Sequence, residues 1–104
     1  MILYNVTVSL DPDVEAAWVA WVQEEHIPEM MATQKFISAQ LVRIKDDLQR
    51  PTGNYAVQYK TSSQQLMDAY LKEDAARLRA KTEARFGNKV LAFRTFLELL
   101  NETP

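Results

Sequence analysis

The order of elements legible in the chain is strand, helix, strand, then strand, helix, strand. It predicts an α+β fold, a split βαβ sandwich whose four-stranded antiparallel sheet carries helices on one face. Three observations carry the prediction. Four segments, near residues 2–10, 36–45, 55–61 and 90–99, are strand-like and show the period-two alternation of half-buried strands. Two intervening segments repeat apolar residues at three and four, the helical period. The doubling fills nearly all 104 residues around a turn at Pro51-Thr52-Gly53-Asn54, which leaves room for one domain, 1–104, with a frayed tail at 101–104.

In the first strand Ile2, Tyr4, Val6, Val8 and Leu10 alternate with Asn5, Thr7 and Ser9. Asp11-Pro12-Asp13 then starts a helix, with Asp11 as N-cap, Pro12 at the first helical position and Asp13 meeting the dipole. That helix runs to about His26 with an inward stripe of Val14, Ala17, Trp18, Trp21 and Val22. Pro28 disfavours helical geometry at Ile27, so a break is expected there, followed by a short turn over Glu29 to Ala32. A second strand spans Phe36 to Lys45, a polar loop Asp46 to Asn54, and a third strand Tyr55 to Thr61. Ser62 or Ser63 caps a second helical region that reaches Phe86 and splits at Lys72-Glu73-Asp74. Gly87-Asn88 stops it, and the last strand runs from Val90 to Leu99.

Apolarity alone assigns the sheet faces. Tyr4, Val6, Val8, Tyr55, Val57 and Tyr59, joined by Leu91, Phe93 and Leu97, make a face suited to helix packing. The opposite face then collects Asn5, Thr7, Gln58, Lys60 and Arg94 amid Ala56, Ala92 and Phe96. It is either a solvated face or, as a mixed surface favours, the contact of a homodimer in which Asn5, Gln58 and Arg94 form a polar network.

Composition bounds the function classes. Of the residues, 47% are hydrophobic and 25% charged, and the net charge is −2. That is an ordinary soluble domain with no general affinity for nucleic acid or anionic membrane. With no cysteine and one histidine, disulfide scaffolds, zinc fingers, thiol nucleophiles and multi-histidine sites are excluded within one chain. The opening Met1-Ile2-Leu3-Tyr4-Asn5-Val6 reads as a strand and not as a signal peptide, and no apolar run is long enough to span a membrane, so a cytoplasmic location is expected.

Certain segments also carry a family resemblance: Tyr4-Asn5-Val6-Thr7, Trp18 and Trp21 followed by Glu24-Glu25-His26-Ile27-Pro28-Glu29, Tyr55-Ala56-Val57-Gln58-Tyr59, Arg85-Phe86-Gly87 and Ala92-Phe93-Arg94-Thr95. Through them the chain resembles, over its whole length, a small bacterial family carried as a domain of unknown function. That family is similar in architecture to the dimeric α/β-barrel superfamily, a ferredoxin-like βαββαβ sandwich. The resemblance implies no established activity. The wider superfamily includes cofactor-free monooxygenases of quinone-like aromatics, haem-degrading enzymes, lactone isomerases and stress-associated binding proteins, and any of these reaches the present chain by fold analogy alone.

His26 is the one side chain that titrates near neutrality unperturbed. It is either a general acid or base at the mouth of a pocket, or a helix-end residue satisfying the dipole. Glu25 falls on the Trp18/Trp21 stripe and is either partly buried or swung outward. Trp21, Tyr4, Tyr55 and Tyr59 are core, or they wall a pocket with Glu25 for a small hydrophobic or aromatic ligand, since buried hydroxyls need partners and orient a guest. Glu24, Glu25 and Glu29 around His26 match no standard metal spacing, and no metal or cofactor is expected. Arg77, Arg79, Lys81, Arg85 and Lys89, interleaved with Glu83, form a basic stripe that either binds an anion or RNA or, as is usual for a run without interleaved aromatics, is a solvated helix face. The expected protein is therefore a homodimer that binds a small molecule between helices and sheet, or else a non-catalytic assembly module.

Overall fold

The computed structural model describes residues 1–104. Strand β1 (Ile2–Leu10) leads through a 3-10 turn, Pro12–Val14, into helix α1 (Glu15–Trp21). A π-helical turn, Val22–His26, joins α1 to α2 (Ile27–Ala32). Strands β2 (Ser38–Lys45) and β3 (Pro51–Thr61) form a hairpin, helices α3 (Gln64–Glu73) and α4 (Ala75–Phe86) follow, and β4 (Val90–Glu98) closes the sheet. The sheet order is β2-β3-β1-β4 and every neighbouring pair is antiparallel. The fold is the ferredoxin-like α+β sandwich expected from the element order.

Local chemistry accounts for most boundaries. Asp11 Oδ1 accepts from the Asp13 amide, and Ser63 Oγ accepts from the Leu66 amide, so each cap satisfies one orphan donor at a helix start. Helix α3 gives way to α4 at Asp74, which receives Lys35 on one carboxylate oxygen and Arg77 on the other. At the end of α4, Gly87 takes φ +59°, a left-handed conformation costly to any residue with a Cβ. The turn between the two halves lies four residues earlier than the Pro-Gly signal implies. Asp46 receives the amides of Leu48 and Arg50 and the Arg50 guanidinium, which closes a tight Asp46–Arg50 loop. Strand β3 therefore starts at Pro51, not at Tyr55, and Pro51 sits at its first residue, where a missing N–H costs least.

The chain does not break at Pro28. Ile27 keeps helical torsions (φ −59°, ψ −47°), and its amide donates to the Val22 carbonyl, five residues back. Pro28 has no N–H for the Glu24 carbonyl and its ring would crowd that oxygen, so the preceding turn widens and helical rotation continues. The widened turn holds one more residue than an α turn. Glu25, which a regular helix would stack on the Trp18/Trp21 stripe, is thereby rotated out and is exposed, and His26 takes the inward place.

Strand pairing fixes the faces. Tyr4 lies opposite Tyr59 and Phe96, Val6 opposite Val57 and Arg94, and Val8 opposite Tyr55 and Ala92. Directly opposed residues share a face, and Tyr4, Val8, Tyr55, Val57 and Tyr59 are all buried in the core beneath the helices. Arg94, with Ala92 and Phe96, therefore faces the helix layer, contrary to the assignment by apolarity. The free face carries Leu3, Leu91, Phe93, Thr95 and Leu97 beside Asn5, Thr7, Ala56 and Gln58. No helix of the structure is long and apolar enough to cross a membrane.

Candidate functional site

Between the helices and the sheet lies a cavity of about 50 Å³. Strands β1, β3 and β4 supply Tyr4, Val57, Tyr59 and Arg94 to its walls; the α1–π–α2 segment supplies Trp18, Trp21, His26 and Met30; helices α3 and α4 supply Tyr70, Arg79 and Thr82. Arg94 is the exposed member of this lining, so the mouth opens beside edge strand β4. The enclosed space is roughly a third of the ~150 Å³ that an apolar cavity needs to take up benzene, and it holds a small polar head more readily than a ring.

The sequence brings four of its pocket candidates together here: His26, Trp21, Tyr4 and Tyr59. The His26 ring stacks on the Trp21 indole with centroids 4.8 Å apart. Two candidates stand elsewhere. Glu25 borders an exterior groove with Glu29 and Lys81, for the helical-phase reason above. Tyr55 is buried at the other end of the core, where its hydroxyl meets Glu15 Oε2 at 2.6 Å and its ring lies 5.5 Å from that of Trp18. The polar network expected on the free face loses Arg94. What remains there is Gln40 donating to Gln58 at 2.7 Å and Asn5 donating to Thr7 at 3.0 Å. The acidic residues around His26 do not gather into a metal-binding group.

Arg79 and Tyr70 are site residues that the sequence reading missed. Of the basic stripe on α4, Arg77 pairs with Asp74 and Lys81 with Glu29, while Arg79 turns inward and donates through Nη2 to the Tyr4 hydroxyl at 3.1 Å. Its spacing held the clue, since Arg79 stands four residues after buried Ala75 and three before cavity-lining Thr82. Tyr70 donates to the Met30 sulfur at 3.2 Å, a weak acceptor.

Two polar atoms are buried without any hydrogen-bond partner, His26 Nδ1 and Arg79 Nε, and both residues line this cavity. Buried polar groups are nearly always satisfied, so two sealed orphans in the wall of one cavity are an unfavourable feature of the empty protein. Burial is the main reason that the His26 imidazolium is disfavoured; Lys81 and Arg94 add to the effect and Glu29 opposes it, so the ring is neutral at pH 7. Burial likewise raises the Tyr59 and Tyr70 phenols above their ordinary range, with neighbouring Tyr4 adding to each, and both stay protonated.

The His26 shift has a consequence for stability. Below its ordinary pKa near 6.5 the unfolded chain binds a proton that the folded chain resists, so the contribution is present above that pH and is lost as pH falls toward the lower folded value. Urea denaturation midpoints are expected to decline from pH 7 to pH 5, and His26→Gln to flatten that decline. An unchanged slope in the variant would place the titration elsewhere.

Comparison with solved structures shows the same architecture. A crystal structure of HapK from Hahella chejuensis superposes with a TM-score of 0.71 at 16% identity, over 100% of this chain and 97% of that one. A dimeric ferredoxin-like protein from an uncultured marine organism gives 0.71 at 6% identity, over 99% and 97%. An ethyl tert-butyl ether d (EthD) family protein from Bacillus halodurans gives 0.67 at 14% identity, over 96% and 100%. At such identities the likeness concerns the fold. No curated protein matches the chain. Residues 1–100 match the model of one family, and the chain belongs to it: the domain of unknown function DUF4286.

Proposed function

We propose that the protein is a homodimer, joined through the free sheet face, that binds a small molecule with an aromatic or otherwise apolar body at the mouth of the helix–sheet cavity. The observation that carries this reading is the pair of unpartnered buried polar atoms, His26 Nδ1 and Arg79 Nε, in a lining of which 12 of 16 residues are hydrophobic. The ligand's bulk rests at the mouth beside Arg94 on β4; Phe96, two residues on along the same face, is 51% exposed and its ring lies 5.5 Å from Tyr4. A smaller head enters the enclosed space. Dimerisation is supported by Phe93 and Leu91, 66% and 57% exposed on the free face, and by a structural neighbour described as dimeric.

A catalytic reading has one observation in its favour. A neutral His26 in the cavity lining, with no hydrogen bond holding either ring nitrogen, is the one imidazole that could take a proton from a bound acidic C–H or O–H, as a cofactor-free oxygenase or isomerase requires. Binding comes first in either case. Thermal melts with millimolar indole, 2-naphthol and 2-naphthoate test it. At least one of them is expected to raise the midpoint, since ligand at a hundredfold excess over Kd adds about 2.7 kcal/mol. If none shifts the midpoint or alters the tryptophan fluorescence of Trp18 and Trp21, the protein is an assembly module and the binding reading fails.

A further inference from the structure

We infer that the head group admitted by the cavity is a compact anion, a carboxylate or an oxyanion of similar size, selected by Arg79 and Arg94. The inference rests on the binding reading above and narrows it to a ligand class.

The lining holds two guanidinium groups and no carboxylate. Neither arginine joins any ion pair of the chain. Glu29 is committed to Lys81, and Asp74 to Lys35 and Arg77. The positive charge is thus local, in a chain whose net charge is −2. Both residues line the same cavity, so the two cations address one space.

Arg79 is built to hold an anion in a fixed orientation. Its Nη2 is tethered to the Tyr4 hydroxyl, which sets the plane of the fork, and its Nε is buried with its N–H unused. A buried Nε N–H without an acceptor is unfavourable, and a shift of the side chain toward an entering oxyanion gives that N–H a partner. Arginine matches a carboxylate better than any other side chain because its donors lie in one plane. Arg94 at the mouth keeps its solvation when the site is empty and closes over the anion from the sheet side. A carboxylate is also small enough for a cavity of about 50 Å³, which a ring is not.

Titration calorimetry with 2-naphthoate and its neutral isostere 2-naphthamide tests the inference at pH 7. The acid is expected to bind at least about tenfold more tightly, the scale of one charge-assisted contact. Arg94→Gln is expected to reduce that preference to about threefold or less while leaving the unliganded melting midpoint in place, because Arg94 is exposed. Arg79→Lys keeps the charge without the fork and is expected to weaken the acid more than the amide. If the amide binds as tightly as the acid, the anion inference is overturned and the binding site stands. A preference that survives both substitutions also overturns it, since the selection then lies outside these arginines. If neither compound binds, the binding reading falls and takes the inference with it.

Discussion

Trp18→Ala is expected to destabilise the domain by about 3–5 kcal/mol, the usual range for truncating a buried tryptophan. Trp18 is 2% exposed on the inward face of α1, its ring lies 5.5 Å from that of Tyr55, and it closes one wall of the cavity. Both the transfer term and the residual cavity act in the same direction, because the sheet below it is held in register and closes only in part over the gap. Single domains have about 5–15 kcal/mol in total, so this one substitution removes a large share. The melting midpoint should fall by more than about 10 °C. Leu71→Ala, on the outer side of α3 where Leu71 is 37% exposed, serves as the comparison and should lose much less. Equal losses in the two variants would show that α1 is not anchored through Trp18.

Phe93→Asp is expected to convert the proposed dimer to monomer with little effect on the folded subunit. Phe93 is 66% exposed on the free face, opposite Thr7 in the β1–β4 pairing, with Leu91 and Leu97 two and four residues away on the same face. Within one subunit the change removes little packing, since two thirds of the residue is exposed. Across stacked sheets it sets a carboxylate at an apolar contact, where central aromatic residues are worth about 2 kcal/mol or more, about thirtyfold in the dimer dissociation constant. Sedimentation equilibrium on both proteins reads the result directly. A wild-type protein that is monomeric at high micromolar concentration would overturn the dimer, and a variant that stays dimeric would move the interface off this face.

Much of the fold was legible because its determinants are local. The alternation in Ile2–Leu10, the Asp11-Pro12 and Ser63 helix starts and the Gly87 stop are each set by residues a few positions apart. The candidate site was legible in part. His26, Trp21, Tyr4 and Tyr59 do converge on one cavity, whereas Glu25 and Tyr55 lie elsewhere. Of the two positions open to Glu25, the structure takes the outward one and not the pocket wall, because Pro28 forces a wider turn over Val22–His26 and the helical phase slips by a residue. Arg79 was hidden among Arg77, Lys81 and Arg85 because a run of cations on a helix looks the same whether one of them turns inward or not.

Arg94 shows most clearly where sequence ends and tertiary structure begins. Alternation along β4 is plain in the sequence, and it separates Ala92, Arg94 and Phe96 from Leu91, Phe93 and Leu97 without ambiguity. Which set faces the helices is a question of register against β1, and a one-residue difference in register exchanges the two faces. Counting apolar residues favours the leucine set. The pairing of Val6 with Arg94 decides for the other, leaving leucine and phenylalanine on the free face and a cation at the cavity mouth. The sequence by itself determined the element order, the capping and the existence of a mixed sheet face. Only the tertiary structure decided which residues face the cavity, because that depends on contacts between segments nearly ninety residues apart, which no local pattern encodes.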